Sequence, residues 1–147
     1  DASYTRKVYV NGDVKPTPDS VLLDVLSEYT NLDNIVVGHS FICSKPSYTT
    51  VPLTITLSVA TALDTTTLES ALQCMFDGGD FMSVSYAGLN IDEPLTRERV
   101  VSMFNMFADV VEVTSVKSNG SEITSISPSA VNGVLKLGTV SFTQNEA

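Results

Sequence analysis

The chain has 147 residues, 43% hydrophobic and 17% charged, with a net charge of −9, which is enough to build one core without a disulfide or metal. Between Asp19 and Glu93 ten acids stand against one base, Lys45; such a surface repels phosphate backbones and argues against a nucleic-acid partner. No apolar run approaches the ~20 residues of a membrane-spanning helix, and the acidity is read as keeping the domain in solution or marking a face for a basic protein.

Val8-Tyr9-Val10 is a short β-like run closed by the turn signal Asn11-Gly12-Asp13. Thr17 is a good N-cap, Pro18 suits the first helical position and Asp19 complements the helix dipole. Val21, Leu22, Val25, Leu26 and Tyr29 follow at helical spacing, which predicts a helix over 18–29. After "TNLDN", an extended segment places Val37, His39, Phe41 and Cys43 in one row and Val36, Ile42 and Ser44 in the other. "VPLTITLSVA" then alternates strictly, with Val51, Leu53, Ile55, Leu57 and Val59 on one side and a Thr/Ser-rich face on the other. Pro52 suits an edge position or the start of a strand.

Asp64 caps a second helix, whose apolar face is Leu68, Ala71, Leu72, Met75 and Phe76. Asp77-Gly78-Gly79-Asp80 ends it, with Gly78 expected in the left-handed C-cap conformation. "FMSVSYAG" reads equally as a short strand or an extended loop. Thr96 caps a third helix with Val100, Met103, Phe104 and Phe107 on its face. Val110–Val116 is β-rich and stops at Asn119-Gly120, Glu122–Ser127 adds a short strand, and Asn132-Gly133 introduces the last one, "VLKLGTVSFT". Helices alternate with strands, and short turns join several strand pairs. The pattern predicts an α+β domain, a mixed β-sheet with about three amphipathic helices packed on it. Residues 16–147 are assigned to this domain and 1–15 to the end of a preceding domain or a linker strand. The chain starts at Asp1 rather than methionine, so it is expected to lie inside a longer polypeptide.

The stretch "VVGHSFICS" holds the single histidine, His39, with Ser40 and Cys43. A hydrolase needs nucleophile, base and orienting acid to converge. On a strand, His39 and Cys43 share a face but their Cα atoms lie ~13 Å apart at ~3.3 Å per residue, while Ser40 points the other way. No serine sits in a Gly-x-Ser-x-Gly elbow. Cys43 and Cys74, 31 residues apart, lack C-x-x-C spacing or a His-rich tract and read as small hydrophobes rather than zinc ligands. Asp77 and Asp80 lack the alternating oxygen ligands of a calcium loop and read as solvated acids at a helix stop. Asp92 and Glu93 could join Asp77 and Asp80 as a carboxylate cluster or a general acid/base pair, but are more simply charges ahead of the third helix's N-terminus. No glycine-rich loop leads from a strand into a helix in the phosphate-binding manner. The chain is therefore read as non-enzymatic, with no catalytic, cofactor-binding or metal residues and no cofactor.

With catalysis set aside, the order of segments carries the reading. "VYVNGDVKPTPDSVLLDVLSEY", "LDNIVVGHSFICSKPSYTTVPLTITLSVA", "DTTTLESALQCMF", "IDEPLTRERVVSMFNMFADVVEVTSV" and "VLKLGTVSFT" together resemble the C-terminal region of baseplate J-like proteins, wedge components of contractile phage tails. The resemblance spans residues 8–143 and includes the closing Leu137-Gly138-x-Val140. It departs at Ala108-Asp109-Val110, where the family usually has a glycine. It implies a structural, oligomeric part of a tail baseplate, assembled in the host cytoplasm into the virion. Its partners would be copies of itself and other wedge and hub proteins, with neither nucleic acid nor membrane. The rival readings are a small α+β binding or enzymatic domain with His39 and Cys43 lining a pocket, and an adhesin domain.

Overall fold

Strict alternation of apolar and hydroxyl residues makes the stretch after Pro46 a half-buried strand, and most of the molecule is assembled around it. The structure, a computed structural model, describes residues 4–11, 19–29 and 39–147. It contains two compact units, 1–47 and 48–147.

In the first unit, β1 (Tyr4–Tyr9) and β2 (His39–Ser44) pair in parallel, with Tyr4 opposite His39 and Tyr9 opposite Ser44. Parallel neighbours require a crossover; α1 (Asp19–Tyr29) lies in that connection and packs along β2. Lys45 Nζ stands 2.8 Å from Asp19 Oδ1, and Asp19 occupies the first turn, where negative charge complements the helix dipole. The expected cap residues Thr17 and Pro18, and the strand residues Val36 and Val37, lie outside the described residues.

The second unit begins with β3 (Ser47–Val59), followed by α2 (Thr65–Asp77), β4 (Gly79–Phe81), β5 (Val84–Tyr86), β6 (Leu95–Thr96) and α3 (Arg97–Phe104). It ends with β7 (Val110–Ser118), β8 (Ser121–Glu122), β9 (Ser125–Ile126) and β10 (Gly133–Glu146). The main sheet has the order β10-β3-β7-β8. β3 and β7 are antiparallel, with bulges after Thr56 and Ser58 that bend the pair. β10 runs parallel to β3, since Gly138 abuts Thr50 and Val51 while the Ala147 amide donates to the Val59 carbonyl at 2.9 Å. A mixed sheet and, among the described residues, three helices make this the expected α+β fold.

Val51, Leu53, Ile55, Leu57 and Val59 are at most 2% exposed, and they meet Leu68, Leu72, Met75 and Phe76 of α2 and Val100 and Phe104 of α3 in one core. Each fully buried side chain of this size contributes roughly 1.5–3 kcal/mol. The opposite face of β3 carries Thr54, Thr56 and Ser58, which are exposed or half-buried. Pro52 sits on a central strand, yet it precedes the β7 ladder, which starts at Thr54 opposite Lys117; the Ser118 hydroxyl donates to its carbonyl instead.

The helix ends follow local chemistry. Asp64 Oδ1 accepts from the Thr66 amide and Thr96 Oγ1 from the Arg99 amide, each cap worth roughly 0.5–2 kcal/mol. Gly78 ends α2 by donating to the Cys74 carbonyl, but with φ 90° and ψ 167° it is not in the left-handed helical conformation expected. Its backbone is extended with positive φ, a region open essentially to glycine alone. After α3, the Val110 amide donates to the Phe107 carbonyl, and neither Ala108 nor Asp109 has a positive φ. This turn needs no glycine.

Candidate functional site

Cys43, Cys74, Asp77 and Asp80 are each bound into the scaffold rather than gathered into one site. His39, Ser40 and Cys43 lie along β2, and Cys43 is half-buried in a cleft with Leu22, Leu23 and Leu26 of α1. Cys74 is also a half-buried free thiol, with Sγ 3.8 Å from the Asp80 carbonyl. Asp77 is half-buried rather than solvated, and its Oδ2 accepts from Gln73 Nε2. Asp80 is exposed and accepts from the Ser85 hydroxyl across the β4–β5 hairpin.

Asp92 and Glu93 are latches rather than a carboxylate pair. Asp92 Oδ1 accepts from the Asn132 amide at 2.7 Å, and its own amide donates to the Gly133 carbonyl, so it fastens the approach to α3 onto the start of β10. Glu93 Oε2 accepts from the Asn90 amide, and Oε1 pairs with Arg99 at 2.6 Å. Arg99 also donates to the Gly88 carbonyl. Among the described residues, no group of three or more His, Cys, Asp or Glu side chains is placed to hold a metal ion.

The more distinctive feature is a shallow groove of about 220 Å³ over the ends of α2 and α3. α2 contributes Met75, β5 contributes Val84 and Tyr86, α3 contributes Arg99, Ser102 and Met103, and Met106 follows α3. The hairpin closes through Met82 and Ser83, both with positive φ (49° and 63°), leaving Met82 57% and Val84 39% exposed. The four methionines of the chain all fall between Met75 and Met106; three line the groove and the fourth tips the hairpin beside it.

Polar groups at the groove are largely engaged. The Tyr86 hydroxyl donates to Met106 Sδ at 3.1 Å, and burial, with a smaller effect from Cys74, pushes its phenol above the ordinary range. The Arg99 guanidinium is held by Glu93 and Gly88, so only its stem is left to the groove. The remaining surface is unbranched, polarisable thioether and aliphatic carbon, which adapts to an apolar partner. From sequence, Met75 and Met103 are helix-face residues only. The groove depends on a hairpin that "FMSVSYAG" left undecided, and the clustering of methionines is the one signal pointing to it.

No protein-family model and no curated protein matches this chain. The likeness to baseplate J-like proteins therefore rests on the segments quoted above.

Proposed function

We propose that this chain is a structural, non-enzymatic assembly module, and that it serves in the wedge of a contractile-tail baseplate, joined to copies of itself and to other wedge proteins. The methionine groove carries the first half of this reading. It is apolar and open, its neighbouring charges are already paired, and it is bordered by an exposed hairpin; these are properties of a surface that another protein covers. The segment order quoted above supports the second half. Proteins of this kind hold the ring together through many contacts and help pass its rearrangement on to the sheath. Each contact can be weak, because ring closure supplies a high effective concentration.

The test is assembly. The full-length protein, mixed with the wedge proteins encoded beside it, is expected to enter a defined larger complex in sizing and electron microscopy. Val84→Asp and Met106→Glu, which place charge in the groove, should fold and yet fail to enter that complex. Undiminished assembly by both folded variants would remove the groove from the interface. Failure of the unaltered protein to join any wedge complex would count against the baseplate assignment.

A further inference from the structure

The chain carries three Asn-Gly pairs, at 11–12, 119–120 and 132–133. Such a pair is labile because the glycine nitrogen, unshielded by a neighbouring side chain, can reach the asparagine side-chain carbonyl carbon. Gly12 lies outside the described residues; the other two pairs sit in opposite surroundings. Asn119 and Gly120 form the two-residue turn between β7 and β8, both exposed and both at positive φ, 52° and 81°, as in a type I′ hairpin. β8 is two residues long and is held in register only by Lys117 opposite Glu122 and Ser118 opposite Ser121, so little opposes a local opening. Among the described residues, no backbone carbonyl accepts from the Gly120 amide.

Asn132 and Gly133 are clamped instead. The Asn132 amide donates to Asp92 Oδ1 at 2.7 Å, and the Gly133 carbonyl accepts from the Asp92 amide at 2.8 Å. Gly133 is buried, and its own amide donates to the Ala130 carbonyl at 3.1 Å. Attack by that nitrogen requires its hydrogen bond to break and the peptide to turn away from Asp92.

We infer that Asn119 is a site of spontaneous deamidation and that Asn132, in the same dipeptide, is not. Base removes the Gly120 amide proton, and the nitrogen attacks Cγ of Asn119. The new C–N bond closes a five-membered succinimide. The side-chain nitrogen leaves as ammonia, carrying in net the proton that the glycine lost. Water then opens the ring: cleavage between nitrogen and Cγ gives aspartate, and cleavage at the main-chain carbonyl gives isoaspartate, with the chain rerouted through Cγ. Isoaspartate lengthens by one carbon a turn that holds Ser118 opposite Ser121. β8 then loses its pairing, and with it goes the bond just beyond, from the Ile123 amide to the Val116 carbonyl at 3.0 Å. The site stands on the hairpin itself, whatever the module assembles with.

The test ages the folded 147-residue chain in mildly alkaline buffer and maps its peptides by mass spectrometry, with isoaspartate scored by isoaspartyl methyltransferase. The peptide holding Asn119 should convert, mostly to isoaspartate, at least roughly tenfold faster than the one holding Asn132, whose clamp adds hydrogen bonds to be broken. In guanidinium chloride the two should convert at similar rates. Asn119→Gly, which suits the same turn and cannot cyclise, should abolish the change at this position. Hydrogen exchange at the Ile123 amide should speed up in the converted chain and not in the aged Asn119→Gly chain. An Asn119 that stays intact when folded while it converts in denaturant would overturn the assignment, as would equal folded-state rates at the two positions. Conversion with undiminished protection at Ile123 would overturn the release of β8.

Discussion

The Phe104 ring stands edge-on to that of Phe142, with centroids 5.8 Å apart and planes at 80°. This contact ties the end of α3 to the last strand, across the sheet from the strand that follows the helix in sequence. Phe104 is fully buried and Phe142 only partly so. Phe104→Ala is therefore expected to cost roughly 3–5 kcal/mol, with Phe142→Ala clearly milder, as read by denaturant unfolding. Equal costs would mean that the ring contact, rather than burial in the core, dominates.

Gly138 is set by close approach. A Cβ there would lie 2.7 Å from the Thr50 methyl and 3.1 Å from the Val51 carbonyl oxygen. Gly138→Ala should destabilise the fold by roughly 1–3 kcal/mol through overpacking, and Thr50→Ser should recover part of that loss. An alanine variant as stable as the parent would contradict the parallel β3–β10 contact at this point.

Asp92 combines a positive φ of 60° with the bond to Asn132. Asp92→Ala removes the acceptor and leaves a residue poorly suited to that backbone, so a loss of roughly 1–3 kcal/mol is expected. Asp92→Asn keeps an acceptor and tolerates the conformation, and should cost well under half as much. Hydrogen exchange at the Asn132 amide would report the release directly.

Glu122 is held below the ordinary carboxylate range, chiefly by the Ser115 hydroxyl that donates to it, with smaller effects from the Val116 amide, Lys117 and Arg97. A depressed folded-state value means that its contribution is present above the unfolded pKa of about 4.3 and is lost as pH falls through the lower folded value. The group is exposed, so the effect is small. Ser115→Ala should weaken the acid-range slope of stability while leaving the curve above neutral pH parallel to the parent's. An unchanged acid limb would show the hydroxyl to be idle.

Local pattern made much of the fold legible. β3 alternates without a break, α2 repeats its apolar face over three turns, and Asp64 and Thr96 are cap residues whose bonds form as their chemistry implies. The hairpin β4–β5 was not legible, because Met82 and Ser83 turn the chain at positive φ where asparagine and glycine are the usual signal. Asp92 could not be recognised as a latch, since its partners Asn132 and Gly133 lie forty residues on. The parallel neighbourhood of β3 and β10 is likewise non-local. Methionine, which fits cores and docking surfaces equally well, gives no local sign of which one it serves.

The most direct measurement removes residues 48–147 from the intact gene and images the resulting particles by electron microscopy. An assembly module is expected to leave baseplates incomplete and sheaths unpolymerised. The intact gene carrying His39→Ala and Cys43→Ser, both outside the deleted segment, should give normal tails if the role is structural rather than catalytic. Complete baseplates bearing normal sheaths without the segment would contradict the structural role, and failure of only the His39→Ala and Cys43→Ser protein would return the question to catalysis.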